Sequence, residues 1–178
     1  MIVIISDDSK DNWGAAFEET LLQTESEVFR FSSNKLDIKP CAACGSCSGK
    51  TYGRCIIPDD MQQVLVKIAG CCSLILISPI VFGGVSHHIK KIMDRMASIG
   101  DPRYRINKGE IVKGMSGQGM NYYMVGTGNN ISEAEKSAFL YLHEENINIM
   151  SAKGRAFVLD KGFNRELINK TAQEILHE

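Results

Sequence analysis

The sequence predicts an α/β fold in which a doubly wound, five-stranded parallel sheet carries helices on both faces. Two observations support this prediction. Short apolar runs alternate with segments of helical periodicity along the whole chain, which is the pattern of successive strand–helix units. The first and third runs, residues 2–5 and 73–77, carry no charge, as expected of strands that are buried on both faces.

Three weaker runs complete the set of strands. They lie at residues 27–31, 122–125 and 156–159. Right-handed crossovers leave few ways to wind such units, and we predict the strand order 2-1-3-4-5. Sheets of this order bind ligands beyond the carboxyl ends of strands 1 and 3, where the direction of winding reverses.

Five helices are expected between and after these strands. Apolar residues from Met61 to Ile68 recur at i, i+3, i+4 and i+7 behind Asp59, which is placed to cap the helix. The same spacing follows Ser86, and Ser132 with Glu135 forms a capping box before another helix. Looser apolar stripes follow Trp13-Gly14 and Asn164.

Length and charge restrict the domain organisation and the classes of partner. A chain of 178 residues suits one domain, and we expect a single domain over residues 1–178 with a cysteine-rich loop at about 38–58. Twenty basic against 21 acidic residues argue against nucleic-acid and anionic-membrane binding. The amino terminus has no basic leader and no apolar stretch is long enough to span a bilayer, so a cytoplasmic location is expected.

The loop after the first strand, residues 6–13, is expected to hold a phosphate. It joins a buried strand to a helix whose first N–H groups are free, and Ser6, Ser9 and Asn12 add donors. Three aspartates in the same loop would repel a phosphate unless they face solvent. These are Asp7, Asp8 and Asp11.

Two further loops are expected at the same edge of the sheet. Residues 78–86 contain Pro79, Phe82 and two glycines, a rigid turn that suits a planar heteroaromatic ligand, although ordinary turns share this composition. Gly126, Thr127 and Gly128 allow a second close approach to the backbone. The three loops together predict one ligand site.

Four of the six cysteines fall within fifteen residues, at Cys41, Cys44, Cys47 and Cys55. The two-residue spacings let thiolates converge on one centre, and intervening glycines let the chain fold back. An iron–sulfur cluster and a structural zinc ion both accept four thiolates, and the spacing favours the cluster. Reduced thiols without a metal are the alternative. The adjacent Cys71 and Cys72 are expected to be small core side chains.

Several motifs occur in the order found in a known family. They are Pro40-Cys41-Ala42-Ala43-Cys44-Gly45-Ser46-Cys47, Gly53-Arg54-Cys55, Asp59-Asp60-Met61, residues 74–79 and residues 86–95. In this order they resemble the flavodoxin-like NADPH-dependent FMN reductases, particularly their iron–sulfur flavoprotein branch. The resemblance covers roughly residues 36–96.

The resemblance implies a flavodoxin-like fold, FMN held by the three loops, and a [4Fe-4S] cluster on the four clustered cysteines. It places residues 79–83 around the isoalloxazine ring, with Phe82 near its plane. It also implies a ferredoxin-like or NAD(P)H electron donor, a small-molecule acceptor and a homodimer or homotetramer. The chain departs from the family in two places, because residues 6–13 contain no arginine and Val81 replaces a tyrosine.

Our leading hypothesis is therefore an FMN-binding oxidoreductase or electron-transfer flavoprotein. No catalytic side chain is assigned, because the protein's part is to position the ring and exclude water. The alternative is a flavodoxin-like module that has lost FMN and binds metal, senses redox state or docks a partner. The candidate cofactor-binding residues are Ser6, Ser9, Asn12, Trp13, Ser78, Pro79, Ile80, Val81, Phe82, Gly83, Gly126, Thr127 and Gly128.

Overall fold

The computed structural model describes residues 1–23, 26–100, 103–107, 109–112 and 119–177. Strands and helices alternate along most of this length. In chain order the elements are β1 (Ile2–Ser6), α1 (Trp13–Leu21), β2 (Val28–Ser32), α2 (Ser46–Gly49), α3 (Met61–Ala69), β3 (Ser73–Val81), β4 (Gly84–Val85), α4 (His87–Met96), β5 (Arg105–Asn107), β6 (Glu110–Val112), β7 (Asn121–Thr127), α5 (Glu133–Met150), β8 (Ala156–Leu159) and α6 (Arg165–Leu176).

Five parallel strands form the main sheet in the order β2-β1-β3-β7-β8, which corresponds to the predicted order 2-1-3-4-5. The described sheet also contains a sixth strand, since β4 pairs antiparallel with the end of β3. A separate hairpin joins β5 to β6. These three short strands were not predicted, because two or three residues leave no readable alternation.

Alternate residues of β1 supply the two halves of the core. Val3 and Ile5 face a cluster built with α3, α4 and α5. Ile2 and Ile4 face a second cluster, in which Phe17 of α1 and Ile168 of α6 are buried. The helices therefore cover both faces of the sheet, as the uncharged first and third strands predict.

Three of the six helices in the described ranges begin at the caps that the sequence predicts. Ser86 accepts a hydrogen bond from the Ile89 amide, Asn164 accepts one from the Leu167 amide, and Ser132 and Glu135 form the complete capping box. In α3 the residue at the N-cap position is Asp60 rather than the predicted Asp59. None of the helices in the described ranges is long and apolar enough to cross a bilayer.

The prediction for the paired cysteines was half wrong. Cys71 is half-buried and packs against the core. Cys72 is exposed, because its side chain points the opposite way from the start of β3. Cys72 is therefore a surface thiol outside the cysteine-rich loop.

Candidate functional site

A cavity of about 390 Å³ lies at the carboxyl ends of β1, β3 and β7. This is the position where the winding of the sheet reverses, and its volume lies within the range of small-molecule sites. Six of the predicted cofactor-binding residues line the cavity. They are Ser9, Trp13, Pro79, Ile80, Thr127 and Gly128.

Other predicted residues have structural contacts instead of lining the cavity. The Ser78 hydroxyl accepts from the Ser86 amide at 2.8 Å and donates to the Pro79 carbonyl at 2.9 Å. A Cβ atom on Gly126 would lie 2.6 Å from Ile80 Cδ1. Ser78 and Gly126 therefore shape the backbone around the cavity rather than its surface.

The turn between β3 and β4 presents an exposed aromatic ring beside the site. Val81 pairs with Gly84, and the intervening Phe82 and Gly83 have φ angles of +50° and +76°, which characterise a type I′ turn. The Phe82 side chain is 96% exposed, and Val81 is 44% exposed. Neither of them, nor Gly83, lines the cavity, so the placement of Phe82 near the plane of a bound ring stays a prediction.

The first loop differs most from the prediction. Asp8 Oδ1 accepts a hydrogen bond from the Gly14 amide, 3.0 Å away, at the start of α1. Its Oδ2 accepts from Ser6 Oγ at 2.9 Å and Ser32 Oγ at 2.6 Å, and lies 3.3 Å from Arg30 Nη1. The predicted phosphate cradle at this helix end therefore contains the chain's own carboxylate.

The exposed Asn12 was predicted to donate to the phosphate, but it is the N-cap residue of α1 without a side-chain cap hydrogen bond. Ser6, another predicted donor, is fully buried beneath Asp8. Neither residue lines the cavity. Asp8, in the same loop, turns inward towards Arg30 and Ser32 on the neighbouring strand β2.

The cavity wall carries more acidic than basic groups. Asp7, Asp11 and Glu135 line it, and among the described lining residues Lys10 supplies the one amine. Burial of Asp7 alone would raise its pKa, but hydrogen bonds from Ser86 and Ser9 outweigh burial and hold that pKa below its ordinary value. The interior of the cavity is therefore anionic at neutral pH.

The lining continues beyond Gly128 to Asn129, Asn130 and Ile131 of the third loop, and it includes Glu135 and Gly162, which lie outside the three predicted loops. Glu135 was interpreted as part of a helix cap, and it does accept from the Ser132 amide at 3.1 Å. Gly162 follows β8 and donates its amide to the Gly128 carbonyl at 3.1 Å. Gly162 could have been predicted, because it follows the last parallel strand, whose carboxyl end lies at the same edge of the sheet as the other loops.

The predicted metal ligands all lie on the loop between β2 and α3. Cys41 and Cys44 are exposed, Cys47 and Cys55 are half-buried, and all four are free thiols. Within the described ranges no three potential ligand side chains converge on one point. Hydrogen bonding with Ser46 lowers the pKa of the Cys44 thiol, and the donor set matches that of a thiolate-bound centre.

The backbone of this loop reverses direction at residues with left-handed conformation. Ala43, Gly45 and Gly53 have φ angles of +49°, +68° and +75°. Both ends of the loop are hydrogen-bonded to Arg95, which donates to the Lys39 carbonyl at 3.2 Å and to the Ile57 carbonyl at 3.4 Å. The loop therefore has fixed ends and a surface-exposed middle.

Comparisons with known proteins confirm the predicted resemblance and the fold. No family model matches the chain. It is 42% identical over 59 residues to an iron–sulfur flavoprotein of Methanocaldococcus jannaschii, covering 33% of this chain and 30% of that protein. It is 32% identical over 65 residues to an iron–sulfur flavoprotein of Methanosarcina thermophila, covering 36% and 32%. The matches span about a third of the length of these relatives.

The fold is also that of solved flavodoxin-like proteins. An FMN-dependent NADH-azoreductase from Bacillus anthracis, solved in complex with FMN, superposes with a TM-score of 0.67 over 98% of both chains. The two sequences are 10% identical, so this likeness concerns the fold alone. The mostly parallel sheet with helices on both faces agrees with the flavodoxin-like fold class predicted from the sequence.

Proposed function

We propose that this chain is an FMN-binding oxidoreductase or electron-transfer flavoprotein. The cavity between the carboxyl ends of β1 and β3 carries this proposal, because sheets of this order hold their ligands there. The azoreductase that shares the fold was solved with FMN, and the curated relatives are named iron–sulfur flavoproteins.

The cavity suits the ring system of a flavin better than its phosphate. Pro79, Ile80 and Trp13 offer apolar contacts, and Thr127 adds a polar side chain to the same lining. Apolar walls that contact a flat ring are typical of sites for planar cofactors. The rest of the lining is polar and includes the carboxylates of Asp7, Asp11 and Glu135. The phosphate end fits poorly, because the start of α1 is taken by Asp8.

The protein's part in the reaction is to bind, orient and shield the cofactor. A bound flavin supplies the exchange of electrons or hydride. Trp13 is 4% exposed and packs edge-on against Phe163, with ring centroids 5.1 Å apart, so it forms a rigid wall. We propose NAD(P)H or a ferredoxin-like protein as donor, a small molecule as acceptor, and a homodimer or homotetramer as the assembly.

We further propose that Cys41, Cys44, Cys47 and Cys55 hold a [4Fe-4S] cluster. The support consists of four free thiols on a loop with fixed ends, and of the names of the curated relatives. Binding requires the exposed middle of the loop to close around the cluster. Residues with positive φ angles give the backbone the reversals that such closure needs.

The flavin proposal is tested by titrating the purified chain with FMN and following flavin fluorescence. We expect saturable quenching with one FMN per chain. Ile80→Glu places a carboxylate in the cavity and is expected to weaken binding by more than about tenfold. Ile106→Glu is the matched control, because Ile106 is 78% exposed on β5. A chain that binds no flavin would contradict this proposal and support the alternative, a flavodoxin-like module that has lost FMN.

The cluster proposal is tested by anaerobic reconstitution with ferrous iron and sulfide. We expect a broad brown absorbance that Cys44→Ser abolishes and Cys72→Ser leaves intact, because Cys72 is an exposed thiol outside the loop. FMN binding should survive in both variants, since the two sites share no residue. Stoichiometric zinc binding without iron uptake would contradict the cluster and favour a structural zinc site.

A further inference from the structure

The amino terminus of α1 is the point where a phosphate would gain most. Helix N-termini attract anions because their first N–H groups lack partners and the helix dipole is positive there. In this chain the Gly14 amide already donates to Asp8 Oδ1 at 3.0 Å. The carboxylate thus occupies the place of an anionic ligand at the helix end.

Three side chains near the helix start also contact Asp8. Ser6 and Ser32 give their hydroxyl hydrogens to Asp8 Oδ2, and Arg30 Nη1 supplies the balancing positive charge. The Asp8 side chain is 2% exposed. A carboxylate that is both paired and hydrogen-bonded in a buried position is costly to displace.

The geometry around Gly14 also leaves little space for an additional group. A Cβ atom at Gly14 would lie 2.0 Å from Ser6 Oγ and 2.6 Å from Ser6 Cβ. Gly14 is therefore packed directly against Ser6, whose hydroxyl is itself bonded to Asp8. This packing keeps the Gly14 amide beside the Asp8 carboxylate.

The charges of the adjoining cavity act in the same direction. Asp7, Asp11 and Glu135 line it together with Lys10, which leaves an excess of two negative charges. A phosphate monoester carries between one and two negative charges near neutral pH, so the cavity repels it. A neutral ring experiences no such repulsion.

We infer that this chain recognises the ring of a flavin without using its 5′-phosphate, and that Asp8 is the residue that removes phosphate recognition. This inference rests on the proposed flavin function. Riboflavin therefore binds at least as tightly as FMN. Raising the salt concentration tightens FMN binding by screening the cavity carboxylates and leaves riboflavin binding nearly unchanged.

The test is a pair of fluorescence titrations, riboflavin and FMN against the unmodified chain, at low and high salt. A ratio of Kd for FMN to Kd for riboflavin of one or more is expected, falling as salt rises. FMN binding that is tenfold tighter than riboflavin binding and weakens with salt would overturn the inference while upholding the flavin function. If neither flavin binds, the proposed function fails and this inference fails with it.

A variant pair locates the effect at Asp8. Asp8→Ser frees the Gly14 amide and removes a carboxylate, so FMN is expected to bind about tenfold tighter relative to riboflavin than in the parent chain. Asp11→Ser is the control, since Asp11 lines the cavity and carries the same charge, whereas the Gly14 amide donates to Asp8. Equal shifts in both variants would overturn the role of Asp8, and the titrations of the unmodified chain decide the inference if Asp8→Ser does not fold.

Discussion

Arg95 and Asp59 form an ion pair beneath the cysteine-rich loop, with side chains that are 0% and 1% exposed. Asp59 also accepts a hydrogen bond from the Lys39 amide at 2.9 Å, and Arg95 donates to the carbonyls of Lys39 and Ile57. Hydrogen bonding to Arg95 and to backbone amides outweighs burial and lowers the pKa of Asp59. One buried pair therefore fixes both ends of the loop.

Replacing Arg95 by methionine is expected to destabilise the fold by about 3–5 kcal/mol, because Asp59 is then a buried charge without its partner. The free energy of unfolding in urea measures this loss. Lys90→Met is the matched control, since the Lys90–Asp94 pair has side chains that are 56% and 43% exposed. Its loss should cost less than about 1 kcal/mol.

Equally small decreases in the free energy of unfolding of Arg95→Met and Lys90→Met would contradict the role given to Arg95.

A second measurement is the rate at which a thiol reagent modifies Cys55, which is half-buried and packs against the core. Arg95→Met should raise that rate by releasing the end of the loop at Ile57. Lys90→Met should leave it unchanged.

The partner of Arg95 shows where sequence reasoning reaches its limit. Asp94 is adjacent in the chain, but the partner of Arg95 is Asp59, 36 residues away. The parallel strands were predictable because burial on both faces removes charge from the sequence itself. A long-range ion pair leaves no such pattern, since any acidic residue in a loop is an equal candidate.

The first loop shows the same limit at the candidate site. The crowding of three aspartates was visible in the sequence, and so was the conflict with a phosphate. Which aspartate turns inward depends on Arg30 and Ser32, which β1–β2 pairing brings beside the loop. The pairing of Ser6 with Ser32 exists only in the folded sheet. The hydrogen bond between Asp8 and the first turn of α1 was therefore not predictable from the sequence.

Gly14→Ala is expected to destabilise the chain by about 1–3 kcal/mol, although alanine is the better helix former. The added Cβ would lie 2.0 Å from Ser6 Oγ and would force Ser6 and Asp8 out of place. Gly49→Ala in α2 is the matched control, because open space surrounds that position. Thermal unfolding of the two variants measures the difference, and a more stable Gly14→Ala variant would contradict the close packing.

Phe82→Asn is expected to stabilise the flavin-free chain by about 1 kcal/mol. Phe82 has a positive φ angle, which costs energy for a bulky residue and much less for asparagine. Its ring is 96% exposed, so no buried contact is lost. Thermal unfolding measures the gain in stability. Weaker flavin binding in the same variant would show that the Phe82 side chain contacts the bound flavin.

Gly83→Ala provides the comparison within the same turn. Gly83 also has a positive φ angle, and a Cβ there would lie 2.7 Å from Ala138 Cβ on α5. This substitution should therefore destabilise the chain, opposite in sign to Phe82→Asn. If both substitutions were neutral, the turn would not be held against α5 as the structure shows.

His143 links stability to pH through its burial in α5. His143 is 4% exposed. Its Nε2 lies 3.0 Å from the Tyr122 carbonyl oxygen, and its ring stacks on that of Tyr122. Burial lowers the pKa of His143 below its ordinary value of 6.5, and the hydrogen bond to Tyr122 only partly opposes this. The folded chain therefore binds its proton less readily than the unfolded chain.

The contribution of His143 to the free energy of unfolding should therefore be fully present above pH 6.5. It should decrease as the pH falls from there towards the folded-state pKa of His143, because the unfolded chain takes up more protons in that range. His143→Gln retains a donor for the Tyr122 carbonyl and removes the titrating group, so its urea midpoint should change less between pH 7 and pH 5. His177→Gln, at an exposed residue beyond α6, should follow the parent profile. Burial also lowers the pKa of His88. The parent and both variants contain His88, so its effect on the pH dependence is the same in all of them. Identical pH profiles for the parent and His143→Gln would show that His143 makes no contribution to the pH dependence.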